Sequence, residues 1–191
     1  MLGLKRIVLH NSYFTSMTVK FDVDGHSNAS GGNGAGKTSA LNLIPIFYGT
    51  EPNLLVDQIA DKDSFLDFYL PKQSSAIVFE HQRDDGFRLV VMYRHTSGSK
   101  VIYRFIRGCL EETFFSSEIK PLLESGVSIS DIFHELRVQN ITISKQLDTI
   151  TDYRSIIQND RNLLRRKGGN AGDVALAREY CIGGANDRMS T

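Results

Sequence analysis

Tryptophan is absent from this 191-residue chain, and cysteine and proline are scarce, with 2 and 4 copies. Cys109 and Cys181 form no CxxC or CxH pairing, which excludes a disulfide framework and a thiolate zinc site; reduced, buried thiols are expected. No apolar run approaches the roughly 18 to 20 residues of a membrane-spanning helix, and Met1 to His10 lacks the apolar stretch of a secretory signal. A cytoplasmic protein with no membrane partner is therefore expected. Excess charge is lacking too. With 22 basic and 22 acidic residues, the chain has none of the positive field of a domain that grips nucleic acid alone, so any DNA contact must be local or shared. Internal repeats and sustained heptads are missing, which places any coiled coil outside this chain.

What is present suits one globular domain with a core: 41% hydrophobic and 23% charged residues. Leu4 to His10 and Met17 to Phe21 read as short strands, joined by a turn at Asn11 and Ser12. A glycine-rich stretch, Gly25 to Gly36, leads into a helical pattern over Lys37 to Phe47, with Pro45 expected to kink or end the helix and Gly49 to cap it. Ala76 to Glu80, Phe87 to Arg94 and Lys100 to Ile106, separated by Asp84-Asp85-Gly86 and Ser97-Gly98-Ser99, predict a three-stranded antiparallel meander. Helices are expected at Ile119 to Glu124, at Asp131 to Arg137 behind the capping box Ser128-Ile129-Ser130-Asp131, and at Tyr153 to Leu164. Arg165 to Gly172, basic and then glycine-rich, reads as a mobile, solvated loop.

Gly31-Gly32-Asn33-Gly34-Ala35-Gly36-Lys37-Thr38 satisfies GxxxxGK[ST] in full. With glycine near 7% of residues, a chance match is on the order of one in a hundred or rarer. Glycines let successive backbone N–H groups curl around phosphate oxygens where any Cβ would obstruct. The helix that follows adds unpaired N–H groups and a favourable dipole. Lys37 is the group expected at the β- and γ-phosphates and the Thr38 hydroxyl the one expected on Mg²⁺, with Ser39 beside them. ATP and Mg²⁺ are the implied ligands. The preceding His26-Ser27-Asn28-Ala29-Ser30 is polar and small where such a loop normally follows an apolar strand.

A P-loop is shared by many classes. GTPases need an NKxD motif, which is missing, and the sole DxxG, Asp22-Val23-Asp24-Gly25, precedes the loop. Hydrolysis needs a carboxylate after an apolar strand. Leu54-Leu55-Val56-Asp57 is the nearest candidate, but no second acid follows it, and no LSGGQ-like signature occurs. The catalytic half of an ATPase is not evident.

Leu4 to His10 with Asn11, Met17 to Phe21, Gly32 to Ser39 and Leu41 together resemble the N-terminal lobe of SMC-type ATPase heads, the condensin, MukB, RecN and RecF relatives. Leu43-Ile44-Pro45-Ile46-Phe47-Tyr48-Gly49 is similar to the run after the P-loop in bacterial SMC-like proteins, some of them in plasmid- or phage-defence systems. The resemblance implies an α/β fold over residues 1–191, an ABC-type P-loop head lobe with an antiparallel meander and flanking helices. It implies that a coiled coil and a C-terminal lobe carrying the signature and acidic motifs complete the head, that ATP joins two heads as a homodimer, and that the assembly acts on DNA. It further implies a glutamine linking Mg²⁺ to the attacking water. Gln158, after Ile156-Ile157, fits that setting best and Gln146 second, while an exposed helical glutamine without a role is the alternative. A stand-alone P-loop phosphotransferase and a transporter-like ABC subunit are the competing readings.

Lacking the acidic and signature motifs, residues 1–191 alone are expected to bind Mg·ATP with negligible turnover. Steady-state phosphate release checks this. Robust hydrolysis abolished by Lys37→Ala would show that the catalytic half is already present.

Overall fold

Five strands form one antiparallel sheet in the computed structural model, which describes residues 3–12, 16–23, 37–56, 64–160, 162, 164 and 171–182. They are β1 (Gly3–His10), β2 (Thr18–Asp22), β3 (Ala76–Arg83), β4 (Gly86–Arg94) and β5 (Val101–Arg107), in the order β2-β1-β3-β4-β5. The first two strands and the meander are thus one sheet, joined through β1 and β3. The helices include α1 (Lys37–Leu41), α2 (Ile44–Phe47), α3 (Asn53–Val56), α4 (Phe65–Tyr69), α5 (Lys120–Glu124), α6 (Ile129–Val138), α7 (Ile150–Ile157) and α8 (Ala171–Tyr180).

The strands alternate as pleating requires, yet both faces of the sheet are buried. Ile7, Leu9, Ile77, Phe79, Val90, Met92, Tyr103 and Phe105 pack on one face with side chains of α2, α4, α7 and α8. Val8, Ala76, Val78, Leu89, Val91, Tyr93, Ile102 and Ile106 pack on the other with α5, α6 and the 110–119 segment. Leu43 and α2, which follow α1, therefore belong to the α7–α8 side.

Three helices start in the same way. Ser64, Ser128 and Thr149 each accept a hydrogen bond from the backbone N–H of the aspartate three residues on, and each donates its hydroxyl to that aspartate's carboxylate at 2.6 to 2.7 Å. This arrangement satisfies one orphan N–H of the first turn and puts a negative charge at the positive helix end. The box at Ser128 was expected; α6 itself begins at Ile129 rather than Asp131.

Other expectations are corrected. The helix expected over Lys37 to Phe47 is two, broken at Asn42–Leu43, because the Pro45 ring excludes the carbonyl four residues back. Pro45 instead sits in the first turn of α2, where a missing N–H costs nothing. Instead of spanning Tyr153 to Leu164, α7 runs from Ile150 to Ile157 and ends where Asn159 turns left-handed at φ 50°. Ala171 and Gly172, placed by the sequence in a mobile loop, open α8; residues 165–170 of that loop lie outside the described residues.

β3 extends past Glu80 to Arg83, carrying polar residues into the interior. Arg83 donates to the carbonyls of Arg178 and Cys181, both at 2.8 Å, Arg88 to that of Glu179 at 3.0 Å, and His81 Nε2 to that of Tyr180 at 3.2 Å. Four consecutive carbonyls at the end of α8 are met in this way, and Asp85 bridges the two guanidiniums at 2.9 and 2.8 Å. Cationic donors at a helix C-terminus oppose its dipole favourably.

Burial pushes His81 from 6.5 down to about 3. The unfolded chain takes up a proton below 6.5 while the folded one stays neutral until about 3, so stability is full above 6.5 and falls as pH drops through that window. From pH 7 to 5 the loss should be about 2 kcal/mol. Urea unfolding at both pH values checks this, and His81→Gln, which keeps a donor for Tyr180, should remove most of the dependence. His10 is also lowered by burial and contributes in the same direction.

Candidate functional site

Lys37 is the first residue of α1. Gly31, Gly32, Asn33, Gly34, Ala35 and Gly36 lie outside the described residues, as does Asp57. Thr38 is exposed in the first turn, Ser39 is half-buried and Ala40 is buried. The Ser39 carbonyl accepts a hydrogen bond from the Tyr69 hydroxyl at 3.0 Å. Tyr69 is buried on α4, and its own carbonyl is held by Ser12 from the β1–β2 turn. The start of the P-loop helix is thus tied to the sheet through α4.

The far end of the same segment is held more tightly. Three successive carbonyls accept side-chain donors from α7 and its cap: Phe47 from Tyr153 Oη at 2.5 Å, Tyr48 from Gln158 Nε2 at 2.6 Å, and Gly49 from Arg154 Nε at 2.7 Å. These are the carbonyls that a helix end leaves without partners. Gly49 has φ 97°, a left-handed conformation that side chains resist, and a Cβ there would stand 2.9 Å from Arg154 Cγ. Glycine is needed both for the turn and for the guanidinium's approach. Leu43, Ile46 and Phe47 add apolar anchorage in the same core.

The donors are themselves fixed. Tyr153 is fully buried and stacks on Tyr103 at 4.7 Å and on Phe105 at 5.8 Å. Burial raises its phenol well above the ordinary value, so it stays a neutral donor. Phe105 also stacks on Tyr180 at 4.9 Å, which links α8 to the same aromatic column.

Gln158, exposed at the cap of α7, donates to the Tyr48 carbonyl. Gln146 lies beside the β5 edge, donating to Asp148 at 2.9 Å and accepting from Arg104 at 3.5 Å. The sequence pattern missed Tyr69, Tyr153 and Arg154, whose roles depend on contacts 30 and 105 to 106 positions away.

Among the described residues no group of three or more His, Cys, Asp or Glu side chains is placed to hold a metal, and Cys109 and Cys181 form no disulfide. Burial raises the Cys109 thiol above its ordinary range, which suits an inert residue. No helix among them is long and apolar enough to cross a membrane.

The family described as "Protein of unknown function (DUF3584)" matches residues 8–191. No curated protein and no solved structure matches the chain.

Gly49→Ala should destabilise the protein by about 2 kcal/mol, from left-handed strain plus the Arg154 clash. In urea unfolding, Gly49→Ala and Arg154→Ala should be less than additive, because the second removes the clash that the first creates. Strict additivity would mean that the two residues do not meet.

Proposed function

The chain belongs to the DUF3584 family, and from that premise we propose that it is the ATP- and Mg²⁺-binding N-terminal half of an SMC-like ATPase head. The observation that carries this reading is a full GxxxxGKT motif whose lysine is the first residue of a helix, with that helical segment fastened to the sheet at both ends. A phosphate cradle needs such a platform, since a displacement of about 1 Å at a binding site is costly.

In this reading the backbone N–H groups of Gly31 to Gly36 surround the phosphates and Lys37 supplies a compact positive charge at the β- and γ-phosphates. The residues present fit a magnesium nucleotide: the Thr38 hydroxyl is a hard oxygen, exposed in the first helical turn, available to Mg²⁺. Mg²⁺ itself would bridge phosphate oxygens and neutralise their charge. Tyr69 orients the Ser39 peptide from behind. The antiparallel sheet with helices on both faces is read as the β layer of an ABC-type head lobe, completed by a C-terminal lobe with the signature and acidic motifs. Nucleotide-driven pairing of heads would then move DNA or attached arms, in maintenance, repair or defence against foreign DNA. In this scheme Gln158 is the first choice for the glutamine that links Mg²⁺ to the attacking water, and Gln146 the second.

Titration calorimetry tests the proposal. Wild type should bind Mg·ATP, Lys37→Ala should lose at least about tenfold in affinity, and Thr38→Ala should lose the Mg²⁺ dependence of binding. Equal affinity in wild type and a folded Lys37→Ala variant would sink it.

A further inference from the structure

Among the described residues β2 is the outermost strand of the sheet and pairs with β1 alone. The opposite edge differs, because β5 is continued by bridges from Tyr103 to Leu147 and from Ile106 to Ile143. The β1–β2 register, Arg6↔Asp22 through His10↔Thr18, is extended by Val23 N–H to the Lys5 carbonyl and Asn11 N–H to the Met17 carbonyl, both 2.8 Å. Bonded and non-bonded pairs alternate in an antiparallel ladder. Odd-numbered residues of β2 therefore turn their backbone groups toward β1, and Thr18, Lys20 and Asp22 turn theirs outward. Among the described residues no strand meets that outward row, which is a template for another strand.

The row is complementary to itself. Val19-Lys20-Phe21-Asp22-Val23, reversed about Phe21, sets Lys20 opposite Asp22 and Val19 opposite Val23. The backbone agrees, because Lys20 and Asp22 both present outward groups and would exchange hydrogen bonds, leaving Phe21 as a non-bonded central pair. Centring the pair on Lys20 satisfies the same parity but opposes two lysines. The Lys20 and Asp22 side chains are 43% and 79% exposed, and their contacts within the chain are loose, 3.8 Å to Glu111 and 3.7 Å to Arg6. Exposed pairs of that kind contribute little. Met17, 57% exposed, adds apolar surface beside the strand.

We infer that a second copy of this chain docks antiparallel on β2, with Phe21 facing the partner's Phe21, Lys20 the partner's Asp22, and Val19 the partner's Val23. The two sheets become one continuous sheet. About four backbone hydrogen bonds and two ion pairs form across the two-fold axis. A contact between two short strands is below the standard interface size of roughly 1,600 Å², so association belongs in the micromolar range. It requires no nucleotide, and so is distinct from the ATP-driven pairing of heads.

Sedimentation equilibrium on the 191-residue chain without nucleotide should show a reversible monomer–dimer equilibrium, unchanged in Lys37→Ala. Lys20→Asp and Asp22→Lys should each weaken it about tenfold, and the double exchange should restore it, since opposite charges again face each other. Directly opposed non-bonded positions suit a disulfide. Val19→Cys with Val23→Cys in one chain should therefore give an oxidised dimer, whereas Val19→Cys alone should not. A monomer at hundreds of micromolar overturns the inference. So does a dimer indifferent to the single charge changes, or equal cross-linking by Val19→Cys alone, because each requires a different contact or register.

Discussion

Side-chain donors that satisfy the last carbonyls of two helices hold this domain's functional parts in place. A helix leaves up to four carbonyls unpaired at its C-terminus, and burying them bare costs more than most single contacts return. The segment after the P-loop ends against the sheet, so Phe47, Tyr48 and Gly49 must find donors, and Tyr153, Gln158 and Arg154 provide them. α8 ends against the β3–β4 hairpin and is met by Arg83, Arg88 and His81. Removing either set would leave carbonyls such as those of Phe47 and Cys181 without their donors and would loosen a helix end from the core.

The sheet makes both arrangements necessary. Antiparallel sheets often leave one face to water, whereas this one is covered on both, so helices must terminate over it rather than run past it. Stacking extends the same fastening: Tyr103, Tyr153, Phe105 and Tyr180 form a column from β5 through α7 to α8. Such ring pairs add about 0.5 to 1.5 kcal/mol each beyond their buried area. Rigidity on this side contrasts with the lightly covered β2 edge.

Local chemistry made much of this legible. Runs rich in Val, Ile, Phe and Tyr, bounded by turn residues, located all five strands, and the box at Ser128 marked α6. The motif at Gly31 to Thr38 pointed to one chemistry because each residue type has a separate task. Long-range satisfaction was not legible. Nothing near Tyr153 or Arg154 signals a carbonyl more than a hundred positions earlier, and the polar run His81-Gln82-Arg83 resembled the end of a strand because its partners lie on α8. Gln158 follows Ile156 and Ile157, which are buried for packing, and nothing local signals the bond from its amide to the Tyr48 carbonyl.

One backbone hydrogen bond gives the domain a mechanical character. Ile182 donates its N–H to the carbonyl of Ile157, the last residue of α7, at 3.0 Å. Tension applied at Ile182 would divide there. One branch runs through the Cys181 carbonyl into Arg83 and the hairpin. The other runs through α7 into the carbonyls that end the P-loop segment. Ile182 is therefore coupled through α7 to the carbonyls at the end of α2, so a pull on it would load α2 from its C-terminal end.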